Sequence, residues 1–362
     1  MALDRITLAH FRNHGATRLD ETARFNLLIG ENGAGKTNVL EAISLFAPGR
    51  GLRRAALAEM AGHSGPGGFA VSAALDGGDG GEAVMLGTGT APNKPGRRIV
   101  QVNGAEASAM SLGEWLAIGW LTPAMDRLFA DSAGARRRYM DRLAVALEPG
   151  HARHAARYEA ALRERNRLLG EAGGADPRWF ASIEAQMAET GAALAQGRAR
   201  LVERLQSALA DVPDTQFARP AIAHAPGGPL DEEGLTAALA ESRPRDMAAQ
   251  RTLTGPHRDE LEVRMAGKDI PAAHCSTGEQ KAMLIALTLA HAGLTAAGRP
   301  SLLLLDEVAA HLDPLRRAAL FERLRAGRAQ VWLTGTEREP FAELGGDVAI
   351  WRVADGGAVR VG

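Results

Sequence analysis

An eight-residue stretch, Gly30 to Thr37, most constrains what this 362-residue chain can fold into. It reads Gly-Glu-Asn-Gly-Ala-Gly-Lys-Thr, and its spacing matches every fixed position of a phosphate-binding loop. The apolar run Phe25–Ile29 before it and the half-apolar run 38–43 after it predict a strand, a glycine turn and a helix. A glycine-rich turn without a ligand is the alternative, but such a turn would not require lysine and threonine after its last glycine.

In this setting, backbone N–H groups at a helix N-terminus surround a phosphate. The pattern therefore predicts that the chain binds a nucleoside triphosphate with Mg²⁺. Lys36 would reach the β- and γ-phosphates, where it also serves catalysis, and the Thr37 hydroxyl would be a magnesium ligand. The predicted nucleotide-binding residues of this segment are Gly30, Glu31, Asn32, Gly33, Ala34, Gly35, Lys36, Thr37 and Asn38.

A second candidate element ends in two adjacent carboxylates. Leu302–Leu305 is apolar enough to form a strand that is buried on both faces, and Asp306 and Glu307 follow it directly. Carboxylates at the end of a buried strand are costly unless a partner compensates their charge. A magnesium ion and an attacking water would supply that partner, with Asp306 in the metal's shell and Glu307 as general base.

Two further patterns have complete structural explanations of their own. Ser276 to Glu279 satisfies the capping-box pattern at the start of an apolar helix, Ala282–Leu294. Asp313 followed by Pro314 is typical of a helix N-cap and first helical position. Neither pattern indicates a function when it is taken alone.

The region between residues 127 and 168 is rich in arginine, with ten arginines against five acidic residues. A solvated helix face is one interpretation of this excess. The other is a surface that follows a nucleic-acid backbone, because clustered arginines displace counterions from phosphates. On that interpretation Arg136, Arg137 and Arg138 are the candidate DNA contacts. With a formal net charge of -1 for the whole chain, such a surface must be a local patch.

The pattern of turns and apolar runs predicts three segments. Residues 1–125 would hold the phosphate loop and an antiparallel meander, with turns at 65–68, 76–81, 87–96 and 103–104. Residues 126–249 would form a helical arm, with a long helix at 178–209 and a loop-rich return at 213–244. Residues 250–362 would complete the first domain and close in a hairpin at Asp355-Gly356-Gly357.

The composition and the apolar runs of the sequence indicate the cellular compartment in which the protein is expected. The single cysteine, Cys275, excludes an intramolecular disulfide and a CxxC zinc site. The N-terminus has no secretory apolar core, and no apolar run approaches the ~18 residues of a membrane span. A soluble cytoplasmic protein without a membrane partner is expected.

The order of these motifs resembles that of ATP-binding-cassette heads. In more detail the whole chain resembles the RecF family of bacterial recombination-mediator ATPases. Phosphate loops are widespread, but the full set in this order is specific. The motifs that carry the resemblance are Phe11-Arg12-Asn13, Gly33 to Asn38, Leu40 to Ile43, Trp120 to Pro123, Arg136 to Arg138 with Asp141, Arg163 to Leu169, Thr254 to Leu261, and Asp313 to Arg317.

The resemblance implies an α/β fold, an ABC-type ATPase head with an antiparallel lobe and an inserted α-helical arm domain. It also implies an ATP-dependent homodimer that binds DNA at gaps or single-strand/double-strand junctions and hydrolyses ATP slowly. RecR and RecO would be its partners in loading RecA. By the same resemblance Arg12 contacts the nucleotide and Asp313 belongs to the D-loop. The signature that acts on the opposite subunit's ATP would be Ser276, Thr277, Gly278, Glu279 and Gln280.

The chain departs from the related patterns at three points. Glu279 stands where glutamine is usual, Thr334 stands where transport cassettes have histidine, and no glutamine is identified for the magnesium shell. A transporter-type ATPase and an SMC-like structural chromosome head are the alternatives. The long separation of Thr37 from Ser276 disfavours the first, and the lack of a hinge and long heptads disfavours the second. A nuclease of the overcoming-lysogeny type is disfavoured because little chain follows Asp313.

Overall fold

The computed structural model describes residues 3–62, 65–76, 82–171, 176–210, 218–296, 299–309, 312–345 and 347–362. Within these ranges the helices are α1 Lys36–Ser44, α2 Leu57–Met60, α3 Leu112–Trp115, α4 Ala133–Leu147, α5 His151–Leu169, α6 Pro177–Ala210, α7 Glu232–Ala249, α8 Thr277–Thr295 and α9 Pro314–Ala326.

The strands in the same ranges are β1 Leu3–Phe11, β2 His14–Leu19, β3 Phe25–Ile29, β4 Phe69–Leu75, β5 Val84–Ala91, β6 Lys94–Val102, β7 Ala105–Glu106, β8 Ala117–Leu121, β9 Pro220–Ala225, β10 Glu260–Met265, β11 Ile270–Pro271, β12 Ser301–Leu305, β13 Gln330–Gly335, β14 Val348–Ala354 and β15 Gly357–Arg360.

The described chain divides into two compact units. One contains the residues up to Asp126 and the segment Thr288–Gly362, and the other lies between Arg127 and Leu287. Residues 250–287, which were predicted to complete the first domain, belong to the second unit in this division. The reason is strand pairing. Strand β10 pairs antiparallel with β9, so the residues around β10 belong to the same compact unit as β9.

A mostly parallel sheet forms the centre of the first unit, with strand order β15-β14-β3-β13-β12-β8. Only β15 within it runs antiparallel to its neighbour, in the predicted hairpin with β14. Every residue of β3 and β12 is buried, which is typical of parallel strands covered on both faces. Ile29 pairs with Gly335 and Leu305 pairs with Leu333, so the phosphate loop and Asp306 emerge at the same edge. Ligands bind at this carboxyl edge in open α/β sheets.

The first unit also contains the predicted antiparallel lobe, in the order β2-β1-β4-β5-β6-β7. The turn predicted over residues 87–96 occupies only positions 92–93, because β5 continues through Gly87 and Gly89 to Ala91 and β6 begins at Lys94. A Cβ atom at Gly89 would lie 2.2 Å from the Phe69 carbonyl oxygen, so glycine there permits close strand approach. The turn predicted at 76–81 falls largely outside the described residues.

In the second unit, α5, α6 and α7 pack around an apolar cluster, and β9, β10 and β11 form a small sheet. The predicted loop-rich return at 213–244 was wrong over its described part, which contains β9 and most of α7. Helix α7 continues past Pro244. Its Leu235 and Leu239 are fully buried beside Tyr158 and Met187, so tertiary packing overrides the local helix-breaking signal. No helix in the described ranges is long and apolar enough to cross a membrane.

Candidate nucleotide-binding site

The phosphate loop adopts the backbone that its glycines allow. Gly30 has a φ of 154°, and a Cβ atom there would lie 2.3 Å from the Val353 carbonyl oxygen. Gly35, with a φ of 112°, is the N-cap of α1, and a Cβ there would meet Asn13 and His14 at less than 3 Å. Because residues with a Cβ rarely adopt these conformations, the two glycines are structural requirements of the loop. Glu31, Asn32 and Gly33 are exposed at its tip.

Lys36 begins α1 and folds back over the loop. Its ammonium donates hydrogen bonds to the carbonyl oxygens of Gly30 at 2.7 Å and Glu31 at 2.8 Å. Burial lowers the pKa of Lys36, while the nearby carboxylates of Glu307 and Asp306 act to raise it. The lysine therefore supplies a positive charge between the loop and the end of β12.

Asp306 is the meeting point of three elements. The Thr37 hydroxyl from α1 lies 2.9 Å from its Oδ1 atom and 3.1 Å from Oδ2. The Thr334 hydroxyl from β13 donates to Oδ1 at 2.9 Å. Asp306 is only 5% exposed, and burial raises its pKa despite these two hydrogen bonds. A carboxylate so placed favours a cation beside it.

The residues at this point fit a magnesium site. Mg²⁺ prefers oxygen ligands and is usually held by one or two carboxylates together with substrate phosphates. The Asp306 carboxylate and the Thr37 hydroxyl are such ligands, and they lie within hydrogen-bonding distance of each other. No group of three or more His, Cys, Asp or Glu side chains that could hold a metal ion occurs among the described residues. A metal here would therefore depend on the nucleotide for its remaining ligands.

Glu307 has a strained backbone. Its φ is 53°, in the left-handed region, which costs a residue with a side chain about 1–2 kcal/mol. Its N–H donates to the Thr334 hydroxyl oxygen at 2.8 Å. Non-glycine residues in this region are concentrated at functional sites, where the surrounding structure holds them. The observed strain is thus consistent with the predicted role of Glu307.

A charged network lies behind the loop. Glu41 on α1 is fully buried and accepts two hydrogen bonds from Arg12, at 2.8 and 2.9 Å, and one from Arg53 at 2.7 Å. Arg53 also donates to the Asn38 side-chain oxygen at 2.6 Å. Arg12 donates in addition to the Glu59 carbonyl oxygen. A nucleotide contact by Arg12 would have to use its remaining N–H groups, because a guanidinium has five.

Two residues that support the loop were not predicted as site residues, although Asn13 belongs to the Phe11-Arg12-Asn13 motif and His14 follows it directly. Asn13 donates to the Ala34 carbonyl oxygen at 2.8 Å and accepts from Asn38 at 2.7 Å. His14 is fully buried, and its Nε2 atom lies 3.1 Å from the Gly35 carbonyl oxygen. Burial lowers the pKa of His14 and so favours its neutral form. These contacts support the loop from β1 and β2, about twenty residues earlier in the chain.

The predicted signature residues begin α8 in the second unit. Glu279 accepts from the Ser276 N–H at 2.9 Å and donates its own N–H to the Ser276 hydroxyl at 3.3 Å, which is the predicted capping box. The other Glu279 oxygen lies 2.6 Å from the Lys268 ammonium, and these contacts lower the pKa of Glu279 to about 2. Ser276, Thr277 and Gly278 are exposed, whereas Gln280 is buried and donates to the Cys275 carbonyl oxygen.

Asp313 forms the N-cap of α9 and accepts from the Arg316 N–H at 3.0 Å, with Pro314 at the first helical position. The predicted cap is therefore confirmed. Asp313, Pro314 and Leu315 are all exposed, and Leu315 retains 70% of its accessible surface.

The three candidate DNA-contacting arginines differ in their surroundings. Arg136 is paired with both carboxylate oxygens of Glu260, at 2.6 and 2.7 Å, and Arg137 donates to the Asp259 carbonyl oxygen at 2.8 Å. Arg138 is exposed. The excess of arginine between residues 127 and 168 is partly neutralised by acids that are distant in sequence. Arg165 pairs with Asp246 and Glu184, and Arg157 pairs with Glu189.

Comparison with known proteins decides the family. The sequence model of the family described as RecF/RecN/SMC N terminal domain matches residues 2–354. A protein of Mesorhizobium japonicum named DNA replication and repair protein RecF is 49% identical over 359 residues, which cover 95% of this chain and 94% of that protein. This chain belongs to the RecF family. A RecF of Rhizobium leguminosarum bv. trifolii is 44% identical over 375 residues and covers 98% of each chain. The predicted RecF resemblance is confirmed.

Solved structures agree on the fold. A structure described as the recombination mediator protein RecF-ATPrS in the RecFOR pathway superposes with a TM-score of 0.86 at 23% identity, covering 99% of this chain and 98% of that one. The Smc head domain of Pyrococcus furiosus superposes with a TM-score of 0.55 at 17% identity, covering 99% and 96%. The predicted α/β ATPase head of the ABC and SMC type is therefore confirmed.

Proposed function

We propose that this RecF-family chain is an ATP-dependent DNA-binding protein of recombinational repair and replication. The observation that carries the proposal is the meeting of Lys36, Thr37, Asp306 and Glu307 at one edge of the parallel sheet. RecF relatives named for DNA replication and repair, and a RecF structure described with ATP, support it. The substrate would be ATP with Mg²⁺, and hydrolysis would be slow.

In this proposal each residue of the site has one task. Lys36 binds the β- and γ-phosphates, while Thr37 and Asp306 hold the magnesium ion. When bound, that ion would neutralise charge that develops on the transferred phosphoryl group. Glu307 accepts a proton from the attacking water. Thr334 carries no titratable group and so cannot act as the histidine of transport cassettes does, which agrees with slow turnover.

The exposed first turn of α8 would act on a second subunit. Ser276 and Gly278 are exposed at the N-terminus of α8. Helix N-termini attract anions such as phosphate. We infer that the signature of one subunit caps the ATP of its partner, so that two subunits close on two nucleotides. Asp313 and its exposed neighbour Leu315 would lie in the same interface. The contact between the signature of one subunit and the ATP of the other exists only in the dimer. The stabilisation of the dimer by ATP therefore depends on protein concentration.

The proposed ligand of this dimer is DNA with a gap or a single-strand/double-strand junction, where RecR and RecO would join it to load RecA. Among the candidate arginines, exposed Arg138 is the one whose surroundings best suit a phosphate contact. Arg136 is held by Glu260, so we assign it a structural role. One lost phosphate contact changes the slope of log K against log salt by about 0.9 on duplex DNA. Arg138→Gln should show that change and Arg136→Gln should not.

Fluorescence anisotropy with labelled gapped DNA tests the proposal. ATP should tighten binding by about 5–150-fold, the range of ordinary coupling between sites. Lys36→Ala should bind DNA equally with and without ATP, because a lost charge-assisted phosphate contact costs about 1.5–3 kcal/mol. A fully paired duplex of the same length is the control ligand. Equal affinity for gapped DNA with and without ATP in the unmodified protein would refute the proposed function.

A further inference from the structure

The threonine at the end of β13 links the two carboxylate residues of the site. Leu305 pairs with Leu333 across the sheet, so Asp306 and Thr334 are the next residues on two adjacent strands. The Thr334 hydroxyl donates to Asp306 Oδ1 at 2.9 Å and accepts the Glu307 N–H at 2.8 Å. One hydroxyl thus bonds the side chain of the first carboxylate residue and the backbone of the second.

The direction of these bonds is determined by their chemistry. A hydroxyl has one proton to donate, and the Glu307 N–H can only donate, so the proton of Thr334 goes to Asp306. Thr334 is 1% exposed, so bulk water cannot replace its hydroxyl. Removal of the hydroxyl would leave the partly buried Glu307 N–H and a buried Asp306 carboxylate oxygen each without this partner.

The hydroxyl is also held in place by the sheet. Thr334 lies on a strand with a paired neighbour on each side, opposite Leu28 of β3 and beside the end of β12. A β-branched side chain has restricted χ1 rotation. By contrast, Thr37, the second hydroxyl on Asp306, belongs to the phosphate loop and would be required by the metal. Thr334 is therefore the partner of Asp306 that stays with the sheet.

We propose that Thr334 is a positioning residue for ATP hydrolysis. Its hydroxyl holds the Asp306 carboxylate towards Thr37 and fixes the left-handed backbone of Glu307, from which the catalytic carboxylate projects. The strained conformation of Glu307 and the orientation of Asp306 thereby depend on a single oxygen atom. This inference rests on the proposed ATPase function and adds to it a residue that does not touch the substrate.

A matched pair of variants tests this role, because Thr334→Val keeps the shape without the hydroxyl and Thr334→Ser keeps the hydroxyl. Removing a partner that orients a metal ligand commonly costs 10–100-fold in activity or metal affinity. T334V should therefore lower kcat by about that factor, while the affinity for a fluorescent ATP analogue at saturating Mg²⁺ changes less than about threefold. T334S should stay close to the unmodified protein in both measurements.

A second readout does not depend on turnover. The Mg²⁺ concentration for half-maximal analogue binding should rise about 10–100-fold in T334V and remain near the original value in T334S. If kcat and Mg²⁺ affinity fall equally in T334S and T334V, packing is responsible and the inference is wrong. Unchanged kcat and Mg²⁺ dependence in T334V would also overturn it. If T334V does not fold, T334A and T334S provide the same comparison. ATP-independent DNA binding by the unmodified protein would instead contradict the proposed function, so the two failures are distinguishable.

Discussion

Arg165 on α5 is a fully buried cation, and its replacement gives a sharp test of how the second unit is held together. Its guanidinium donates to Asp246 at 2.6 Å, to Thr252 at 2.9 Å, to the Leu239 carbonyl oxygen at 3.0 Å and to Glu184 at 3.1 Å. These partners lie on α6, on α7 and in the segment after α7. The side chain thus joins three helices through one charged group.

Replacing Arg165 with methionine should strongly destabilise the protein. Asp246 is fully buried and would lose its charged partner at 2.6 Å, although Ser242 and the Leu253 N–H still donate to it. Breaking a buried ion pair from one side costs about 3–5 kcal/mol. For a domain of this size each kcal/mol corresponds to roughly 2–4 °C, so the melting midpoint should fall by about 6–20 °C.

Arg163→Met is the matched control, because Arg163 lies two residues earlier on the same helix. It is 72% exposed, and its ion pair with Glu159 spans 3.9 Å. Surface pairs of this kind contribute about 0–1 kcal/mol. Thermal unfolding followed by far-ultraviolet circular dichroism compares the two variants. Equal midpoints for Arg165→Met and Arg163→Met would refute the assignment of Arg165 as a structural cation.

Two further predictions concern the site. Gly30→Ala should weaken ATP-analogue binding by about tenfold or more, since its Cβ would overlap the Val353 carbonyl oxygen and its φ would be strained, whereas Gly15→Ala, with open space around its Cβ, should bind normally. Analogue titration that finds the two alike would contradict this. Glu279→Gln should tighten the ATP-dependent dimer by about 2–5-fold, because it removes a negative charge at a helix N-terminus proposed to meet a phosphate. Lys268→Met should weaken the dimer, since it removes the cation beside Glu279, and sedimentation showing the opposite order would reject the argument.

The chemistry that lies within a few consecutive residues could be predicted from the sequence. The Ser276–Glu279 capping box and the Asp313 cap each depend on contacts three residues apart. The phosphate loop could be recognised from the spacing of its own eight residues. The buried β12 was equally visible, because a parallel strand covered on both faces is a continuous apolar run. In the structure, the carboxyl edge of the parallel sheet brings the loop and Asp306 together.

Contacts between residues distant in sequence could not be predicted in the same way. The arginine excess suggested a DNA surface, yet Arg136 is neutralised by Glu260, 124 positions later. His14 supports the loop through Gly35, and nothing in the spacing of the two residues indicates it. Pro244 and Gly89 are local signals for breaks, but packing in α7 and close strand approach in β5 determine the structure there.

We proposed that ATP joins two subunits of this chain on DNA, and the molar mass of the Glu307→Gln variant shows whether that dimer forms. This change retains the shape of Glu307 and removes the proposed general base, so hydrolysis should fall by about 10²–10⁴-fold while ATP binding survives. Light scattering with ATP and gapped DNA should then show a stable dimer, and Ser276→Arg under the same conditions should remain monomeric. A monomeric Glu307→Gln, or a Ser276→Arg that dimerises normally, would contradict the account.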